Sequence, residues 1–225
     1  MVITILVDNK TSWIVPYAEL LVKELSSDHD IQLVHESKQI PTGDIACFLS
    51  CENIIKKEIR ARNKHNLVVH ESALPQGKGW SPMTWQILEG KNEIPMTLFE
   101  AEDLVDNGVI YGWKILHFAG NELIDQMRKA QGEATIEMIK KFVASFPDNF
   151  GTPQRGDETF YSRRTTKDSE LDANKTIAEQ FNLLRVVDNE RYPAFFNHKG
   201  KKYIIKIYQE PLDDLNDLYK GSCIF

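Results

Sequence analysis

Two residues near the middle of the chain have side chains and neighbours suited to proton transfer. His70 closes the apolar run 67–69, which predicts a buried strand, and Asp106 opens the turn sequence Asp106-Asn107-Gly108. An imidazole titrates at about pH 6.5, so His70 can take up and release a proton, and a carboxylate can orient its ring. The simpler alternatives are a buried structural histidine and an ordinary turn aspartate.

The motifs around these residues resemble those of the N10-formyltetrahydrofolate-dependent formyltransferases. That family has a His-x-Ser-x-Leu-Pro segment, then a glycine and a proline, and then a hydrophobic-Asp-x-Gly loop. The separation 106 − 70 = 36 residues also matches the family. The resemblance implies that His70 carries the proton, that Asp106 orients it, and that no metal takes part. The matching residues are His70, Ser72, Leu74, Pro75, Gly77, Pro82, Val105, Asp106 and Gly108.

One position departs from the family pattern. Two residues before its histidine the family has an asparagine, whose amide binds the formyl oxygen, and this chain has Val68. Valine has no side-chain hydrogen-bond donor. The nearest amide is Asn66, which period-two alternation places on the same face of the strand as His70. Asn66 is therefore the sequence-based candidate for the missing donor, with backbone N–H groups of the 77–79 loop as an alternative.

The resemblance also implies where the folate binds. Its pterin is expected in a crevice between the loop 50–55 and the segment leading into Asp106. The residues assigned to this crevice are Glu52, Ile54, Leu104 and Val105.

A second stretch, from residue 159 onward, combines basic and aromatic residues. It resembles the sugar-nucleotide branch of the same family, which has an Arg-Arg-x-x-x-Asp segment, an Asn-x-x-Arg on a helix and a Tyr-Pro-x-x-Phe. The matching residues are Arg163, Arg164, Asp168, Asn182, Arg185, Tyr192, Pro193 and Phe196. Aromatic rings can stack on a base, and cationic groups can bind phosphates. The alternative is a surface helix with ordinary ion pairs, followed by a hairpin. The residues predicted to bind the acceptor are Lys78, Trp80, Arg185, Tyr192 and Phe196.

The elements that must position these residues alternate between strand and helix patterns. Strands are predicted at 2–7, 31–34, 44–49, 113–118 and 203–208, and helices at 13–25, 53–61, 121–146 and 177–187. Gln131-Gly132 is expected to loosen the helix at 121–146, and residues 147–157 are predicted to form a linker. This alternation predicts an α/β protein with a mainly parallel, Rossmann-like sheet, followed by a small C-terminal α+β segment with a β-hairpin. Residues 1–147 are expected to form the catalytic domain and 148–225 a subdomain that helps to bind the acceptor. No Gly-x-Gly-x-x-Gly follows the first strand, which argues against a nicotinamide dinucleotide.

Composition narrows the function classes. The chain has 42% hydrophobic and 27% charged residues and a formal net charge of −6, which argues against general nucleic-acid binding. The first apolar run ends at Asp8 without a basic leader, and no run is long enough to span a bilayer, so a cytoplasmic protein is expected. The cysteines, Cys47, Cys51 and Cys223, fit neither a disulfide set nor a zinc spacing.

The leading hypothesis is formyl transfer from N10-formyltetrahydrofolate to the amine of a nucleotide-linked amino sugar. The resemblance implies an acceptor such as a 4-amino-4,6-dideoxy sugar, used in surface glycans such as the lipopolysaccharide O-antigen, and a homodimer is expected. The short acidic stretch after Tyr208 argues against the methionyl-tRNA branch. Two alternatives stay open: a catalytically impaired homologue that only binds sugar nucleotides, and a formyltetrahydrofolate hydrolase.

Overall fold

The computed structural model describes residues 1–210, so Cys223 and the acidic C-terminal stretch lie outside the described residues. The strands are β1 Val2–Leu6, β2 Asp30–Val34, β3 Gly43–Phe48, β4 Asn63–His70, β5 Lys78–Gly79, β6 Glu93–Glu100, β7 Ile110–His117, β8 Phe160–Tyr161, β9 Ala194–His198 and β10 Lys201–Ile205. The α-helices are α1 Val15–Leu25, α2 Lys57–Arg60, α3 Pro82–Leu88, α4 Ile124–Ser145 and α5 Phe181–Val186.

Six strands form the central sheet, in the order β2-β1-β3-β4-β6-β7. The neighbours among β1 to β4 pair in parallel, whereas β6 pairs antiparallel with both β4 and β7. The predicted α/β fold with a mainly parallel sheet is therefore confirmed. The order reverses between β1 and β3, and ligands in such sheets bind outside the carboxyl ends of the strands.

The two faces of the sheet are covered very differently. Alternate residues such as Ile5 and Cys47 join the large core that also contains α1 and α4. Their chain neighbours, such as Leu6 and Phe48, join a much smaller cluster on the opposite face. Alternation along the strands thus gives one deeply covered face and one face that is left open for a cavity.

The helix α4 differs from its prediction at one point. Gln131-Gly132 was expected to loosen the helix, but α4 is continuous from Ile124 to Ser145. A Cβ atom on Gly132 would lie 2.5 Å from a carbon of the Tyr17 ring. The glycine therefore lets α1 and α4 approach each other closely, which overrides its low helix propensity.

Other element boundaries also shift. The helix predicted at 53–61 is reduced to Lys57–Arg60. The helix predicted at 177–187 is a 3-10 turn at Ala178–Gln180 followed by Phe181–Val186. The strand expected to run to Tyr208 ends at Ile205.

The segment predicted as a linker after residue 147 packs along the core part of the chain. Thr152 pairs with Ile110 at the edge of β7, and β8 pairs in parallel with β5. The predicted hairpin follows as β9 and β10, which pair antiparallel and pack on Leu171 and Leu184. Within residues 1–210, no helix is long and apolar enough to cross a membrane.

Candidate active site

A cavity of about 510 Å³ lies on the thinly covered face of the sheet, at the carboxyl ends of its parallel strands. Phe48 and Val68, from β3 and β4, contribute to its floor. The loops after these strands form part of its walls, as the strand order predicts for a doubly wound sheet. The residues with predicted roles that line it are Glu52, Ile54, His70, Trp80, Leu104, Val105, Asp106 and Tyr192.

His70 and Asp106 meet inside this cavity. The imidazole Nε2 of His70 lies 3.8 Å from Asp106 Oδ2 and 2.9 Å from the carbonyl oxygen of Gly77. A carbonyl oxygen only accepts hydrogen bonds, so Nε2 carries the hydrogen that binds Gly77. In the neutral ring the basic nitrogen is then Nδ1, which has no hydrogen-bond partner within residues 1–210. His70 is thus held by one nitrogen, while the other is free to accept a proton.

The Asp106 loop is fixed from several sides. Its backbone has a left-handed φ of +53°, which aspartate tolerates better than most residues. The Gly79 N–H donates to Asp106 Oδ2 at 2.8 Å. Two positions later, a Cβ atom on Gly108 would lie 1.7 Å from the Glu100 carbonyl oxygen, so only glycine fits there. The Asp106-Asn107-Gly108 sequence therefore serves both the turn and the placement of the carboxylate.

Lys78 supports this loop from the protein interior. Its side chain is 1% exposed, and its Nζ donates to Asn107 Oδ1 at 2.8 Å and to Glu158 Oε1 at 2.6 Å. Lys78 therefore links the loop next to Asp106 to the segment before β8. It does not line the cavity, so the structure does not bring it to the position expected of a phosphate ligand.

The loop after β3 is held by a carboxylate at the end of β1. Asp8 accepts hydrogen bonds from the backbone N–H groups of Glu52 and Asn53, at 2.9–3.0 Å. Ile54 and Leu104 both line the cavity although they are 75% and 68% exposed. Such exposed apolar residues in a cavity wall offer surface for a flat ring.

Basic and aromatic groups surround another part of the cavity. The Arg163 guanidinium stacks over the Trp80 ring, with its Cζ 4.5 Å from the ring centre. Arg163 and Arg191 both reach Glu52, at 3.5 Å and 3.9 Å. These side chains are at least 40% exposed, so an anion in solution can compete with Glu52 for the two guanidinium groups. Tyr192 also lines the cavity.

Two other predicted residues lie away from the cavity. Arg185 is 1% exposed. Its guanidinium donates hydrogen bonds to the side-chain oxygens of Asn182 and Asn92, and it lies 3.6 Å from the Glu122 carboxylate. Phe196 stacks on Tyr203 with an interplanar angle of 18°. Arg185 thus joins distant parts of the fold and Phe196 stabilises the hairpin, so neither is placed to contact an acceptor in the cavity.

Asn66 is also placed away from the reacting groups. It is 6% exposed, does not line the cavity, and donates its amide to the Arg60 carbonyl at 3.1 Å. The amide thus already has a backbone partner, and the structure does not place it in the cavity with His70.

Two cavity residues, Glu71 and Gln131, were not singled out from the sequence. Burial raises the pKa of the Glu71 carboxyl, which accepts a hydrogen bond from the Gln131 amide. Arg164, a residue of the Arg-Arg-x-x-x-Asp segment, also lines the cavity, and its Nε atom is buried without a partner in the part of the chain that the structure describes. One sequence feature could have indicated Gln131: it interrupts the apolar side of α4 between Met127 and Ala134. Within the same residues, no group of three or more His, Cys, Asp or Glu side chains is arranged to hold a metal ion.

Comparison with known proteins adds a family match. A family model described as "Formyl transferase" matches residues 16–143, which is more than half of the chain. A methionyl-tRNA formyltransferase from Agathobacter rectalis is 24% identical over 225 aligned positions, which cover 91% of this chain and 69% of the relative.

Several solved structures share the fold. A methionyl-tRNA formyltransferase from Clostridium thermocellum has a TM-score of 0.80 and 19% identity, with 94% of each chain covered. A sugar N-formyltransferase from Shewanella has a TM-score of 0.71 and 15% identity, covering 95% of this chain and 99% of that one. HypX from Aquifex aeolicus, in complex with tetrahydrofolic acid, has a TM-score of 0.73 and 16% identity, covering 92% and 37%. At these identities the likeness concerns the fold.

Proposed function

This chain belongs to the formyl transferase family, and we propose that it transfers a formyl group from N10-formyltetrahydrofolate to the amine of a nucleotide-linked amino sugar. One observation carries the proposal. The cavity that contains His70 and Asp106 also contains Trp80 with Arg163 stacked on it, and Arg191 beside the same carboxylate. A proton-transfer pair therefore lies in the same space as groups suited to a base and phosphates.

The donor is assigned to the slot between the loop after β3 and the Asp106 loop. Asp8 fixes the backbone on one side of this slot, and Ile54 and Leu104 provide apolar surface on its two sides. A flat pterin needs such surfaces together with a few fixed polar groups. HypX, which shares the fold, has been solved with tetrahydrofolic acid bound, which supports a folate donor.

The acceptor is assigned to the wall that carries the exposed guanidinium groups. A nucleoside diphosphate has a flat base that can stack on Trp80 or Tyr192, and two phosphates that can displace Glu52 from Arg163 and Arg191. The unpartnered Nε of Arg164 offers a further donor for an anion. A sugar attached to the diphosphate would then extend its amine toward His70.

The geometry of His70 and Asp106 supports a role for this pair in proton transfer. The acceptor amine attacks the formyl carbon, and His70 Nδ1 takes up the proton that the amine loses. The resulting imidazolium is stabilised by Asp106, whose Oδ2 is 3.8 Å from Nε2. The same proton then moves to the departing N10 nitrogen, so the enzyme returns to its starting state.

Methionyl-tRNA is the second candidate acceptor. It is favoured by the curated relative, which is named for that substrate and covers 91% of this chain. Like a sugar nucleotide, it has an amine, phosphates and flat bases. The net charge of −6 counts against it, since RNA binding relies on positive surface charge.

Product analysis separates the two acceptors. Purified protein is incubated with N10-formyltetrahydrofolate and, in parallel reactions, with amino-sugar nucleotides carried on UDP, dTDP or GDP and with charged methionyl-tRNA. Mass spectrometry then detects the gain of one formyl group. The proposal predicts formylation of at least one sugar nucleotide and little of the tRNA. Formylation of methionyl-tRNA alone would show that the second candidate is correct.

A further inference from the structure

Formyl transfer needs a hydrogen-bond donor for the oxygen that becomes negatively charged during the reaction. When the amine nitrogen bonds to the formyl carbon, the π electrons of the C=O bond move onto the oxygen. They return when the bond from that carbon to N10 breaks. Hydrogen-bond donors that stabilise such an oxyanion are among the largest contributors to acyl-transfer catalysis.

The side-chain donors closest to His70 in the chain are absent, engaged or outside the cavity: the Ser72 hydroxyl has no partner within residues 1–210, but Ser72 does not line the cavity. Val68 has no side-chain donor, and Asn66, which does not line the cavity, donates to the Arg60 carbonyl. The Gly77 N–H donates to Thr159 Oγ1 at 2.8 Å, and the Gly79 N–H to Asp106. The oxyanion donor must therefore come from another group.

Glu71 is held in the cavity immediately after His70. Its backbone carbonyl accepts a hydrogen bond from Gln86 Nε2 at 2.6 Å, which fixes the main chain. Gln131, which is 7% exposed on α4, donates its amide to one carboxyl oxygen, Oε1. The other oxygen, Oε2, has no hydrogen bond from another residue within residues 1–210. Glu71 thus lines the cavity with a fixed main chain and has one carboxyl oxygen without a partner from another residue within residues 1–210.

We propose that the protonated Glu71 carboxyl, oriented by Gln131, donates the hydrogen bond that stabilises the oxyanion of the tetrahedral intermediate. This inference rests on formyl transfer being the reaction. A neutral carboxylic acid in a site that disfavours its ionised form can act as such a donor. The carboxyl proton stays on Glu71 throughout, so it adds no step to the proton path through His70.

The surroundings of Glu71 favour the neutral form. Burial is the largest influence and raises the pKa of this carboxyl, while His70, the Gln131 amide and its own backbone N–H lower that pKa and Asp106 raises it. Another charged cavity residue on α4, Arg128, is paired with Asp188 at 2.9 Å. The net result is a raised pKa, so the carboxyl keeps its proton to a higher pH than an exposed glutamate does.

The test compares kcat against pH for wild type, Glu71→Gln and Glu71→Ala. Glutamine keeps an N–H donor that does not titrate, so Glu71→Gln should stay within a few-fold of wild type at low pH. Wild-type kcat should fall as the pH rises through the Glu71 pKa, because the carboxylate cannot donate. The ratio of kcat for Glu71→Gln to that of wild type should therefore rise with pH. Glu71→Ala should lose about 100- to 1000-fold.

Glu133→Gln, on the exposed side of α4, is the matched control and should keep the wild-type profile. If Glu71→Gln is as inactive as Glu71→Ala at every pH, Glu71 acts as a carboxylate and the inference is wrong. Near-wild-type kcat in Glu71→Ala would also overturn it. If Glu71→Ala does not fold, the Glu71→Gln profile alone decides. A wild-type protein that formylates no acceptor would instead defeat the proposed function itself.

Discussion

His70 Nε2 lies 3.8 Å from Asp106 Oδ2 while it donates to the Gly77 carbonyl at 2.9 Å. The ring is thus oriented by a backbone carbonyl, and the carboxylate stands close enough to stabilise a positive charge on it. This relationship divides the work between the two ring nitrogens. Nε2 is committed to the protein, and Nδ1 is left to accept a proton.

Replacement of either member of this pair should abolish most turnover. We expect His70→Ala and Asp106→Asn each to lower kcat at least about a hundredfold, since both act in proton transfer or its orientation. Circular dichroism and thermal melting should show that both variants fold. His198→Ala, on the exposed part of β9, serves as the control and should behave as wild type. Near-wild-type turnover in either variant would remove that residue from the mechanism.

Lys78 should affect catalysis without contacting substrate. In Lys78→Met the bond to Asn107 is lost, and Glu158 keeps a charge without its partner. Breaking a fully buried ion pair costs about 3–5 kcal/mol, and Glu158 is 47% exposed, so the loss in unfolding free energy should be at or below about 3 kcal/mol. We also expect a lower kcat with little change in either KM, measured by steady-state kinetics.

Lys91→Met provides the comparison for Lys78, because Lys91 pairs with Glu89 at the surface with 54% of its side chain exposed. It should change neither stability nor kcat noticeably. Equal effects of the two substitutions would contradict a positioning role for Lys78.

The arginines beside Glu52 should govern acceptor binding. A hydrogen bond to a charged group contributes about 1.5–3 kcal/mol, so Arg163→Ala and Arg191→Ala should each raise the acceptor KM about ten- to a hundredfold. The folate KM should stay close to wild type in initial-rate measurements. Arg155→Ala, at an exposed position, is the control. A rise in the folate KM alone would mean that the two substrates occupy the opposite walls of the cavity.

Tyr192 and Phe196 belong to the same sequence motif but should respond differently to replacement. Tyr192 lines the cavity, so Tyr192→Ala should raise the acceptor KM about five- to a hundredfold through the loss of a stacking surface. Phe196 stacks on Tyr203, so Phe196→Ala should lower the free energy of unfolding by about 1–3 kcal/mol and leave KM unchanged. Denaturant unfolding and kinetics on the same preparations test both. An increase in KM for Phe196→Ala alone would contradict this assignment.

Local patterns predicted the parts of the site that depend on local structure. The apolar run before His70 indicates a strand end, and Asp106-Asn107-Gly108 indicates a turn, so both residues fell at the ends of elements. The family spacing between them then indicated that they meet. Residues whose roles depend on distant partners could not be predicted in this way. Arg185 is buried because Asn92, 93 positions away, binds its guanidinium.

The roles of Lys78 and Glu71 could not be predicted for the same reason, because their partners are also distant in the sequence. The carboxylate that binds Lys78 is 80 positions away, and the amide that binds Glu71 is 60 positions away. No periodicity within a single element encodes such pairs. In contrast, Arg163 stacks on Trp80, and both are of residue types that the sequence had already associated with nucleotide binding. Only the contact between them was not predicted.

The most direct test of the account is the stoichiometry of the reaction. Tetrahydrofolate, formate and formylated acceptor are measured in the same reaction, with and without an amino-sugar nucleotide that the protein accepts. The account predicts one tetrahydrofolate for each formylated acceptor, with almost no formate and almost no turnover when the acceptor is omitted. Release of tetrahydrofolate and formate at the same rate without acceptor would contradict it and would identify a hydrolase.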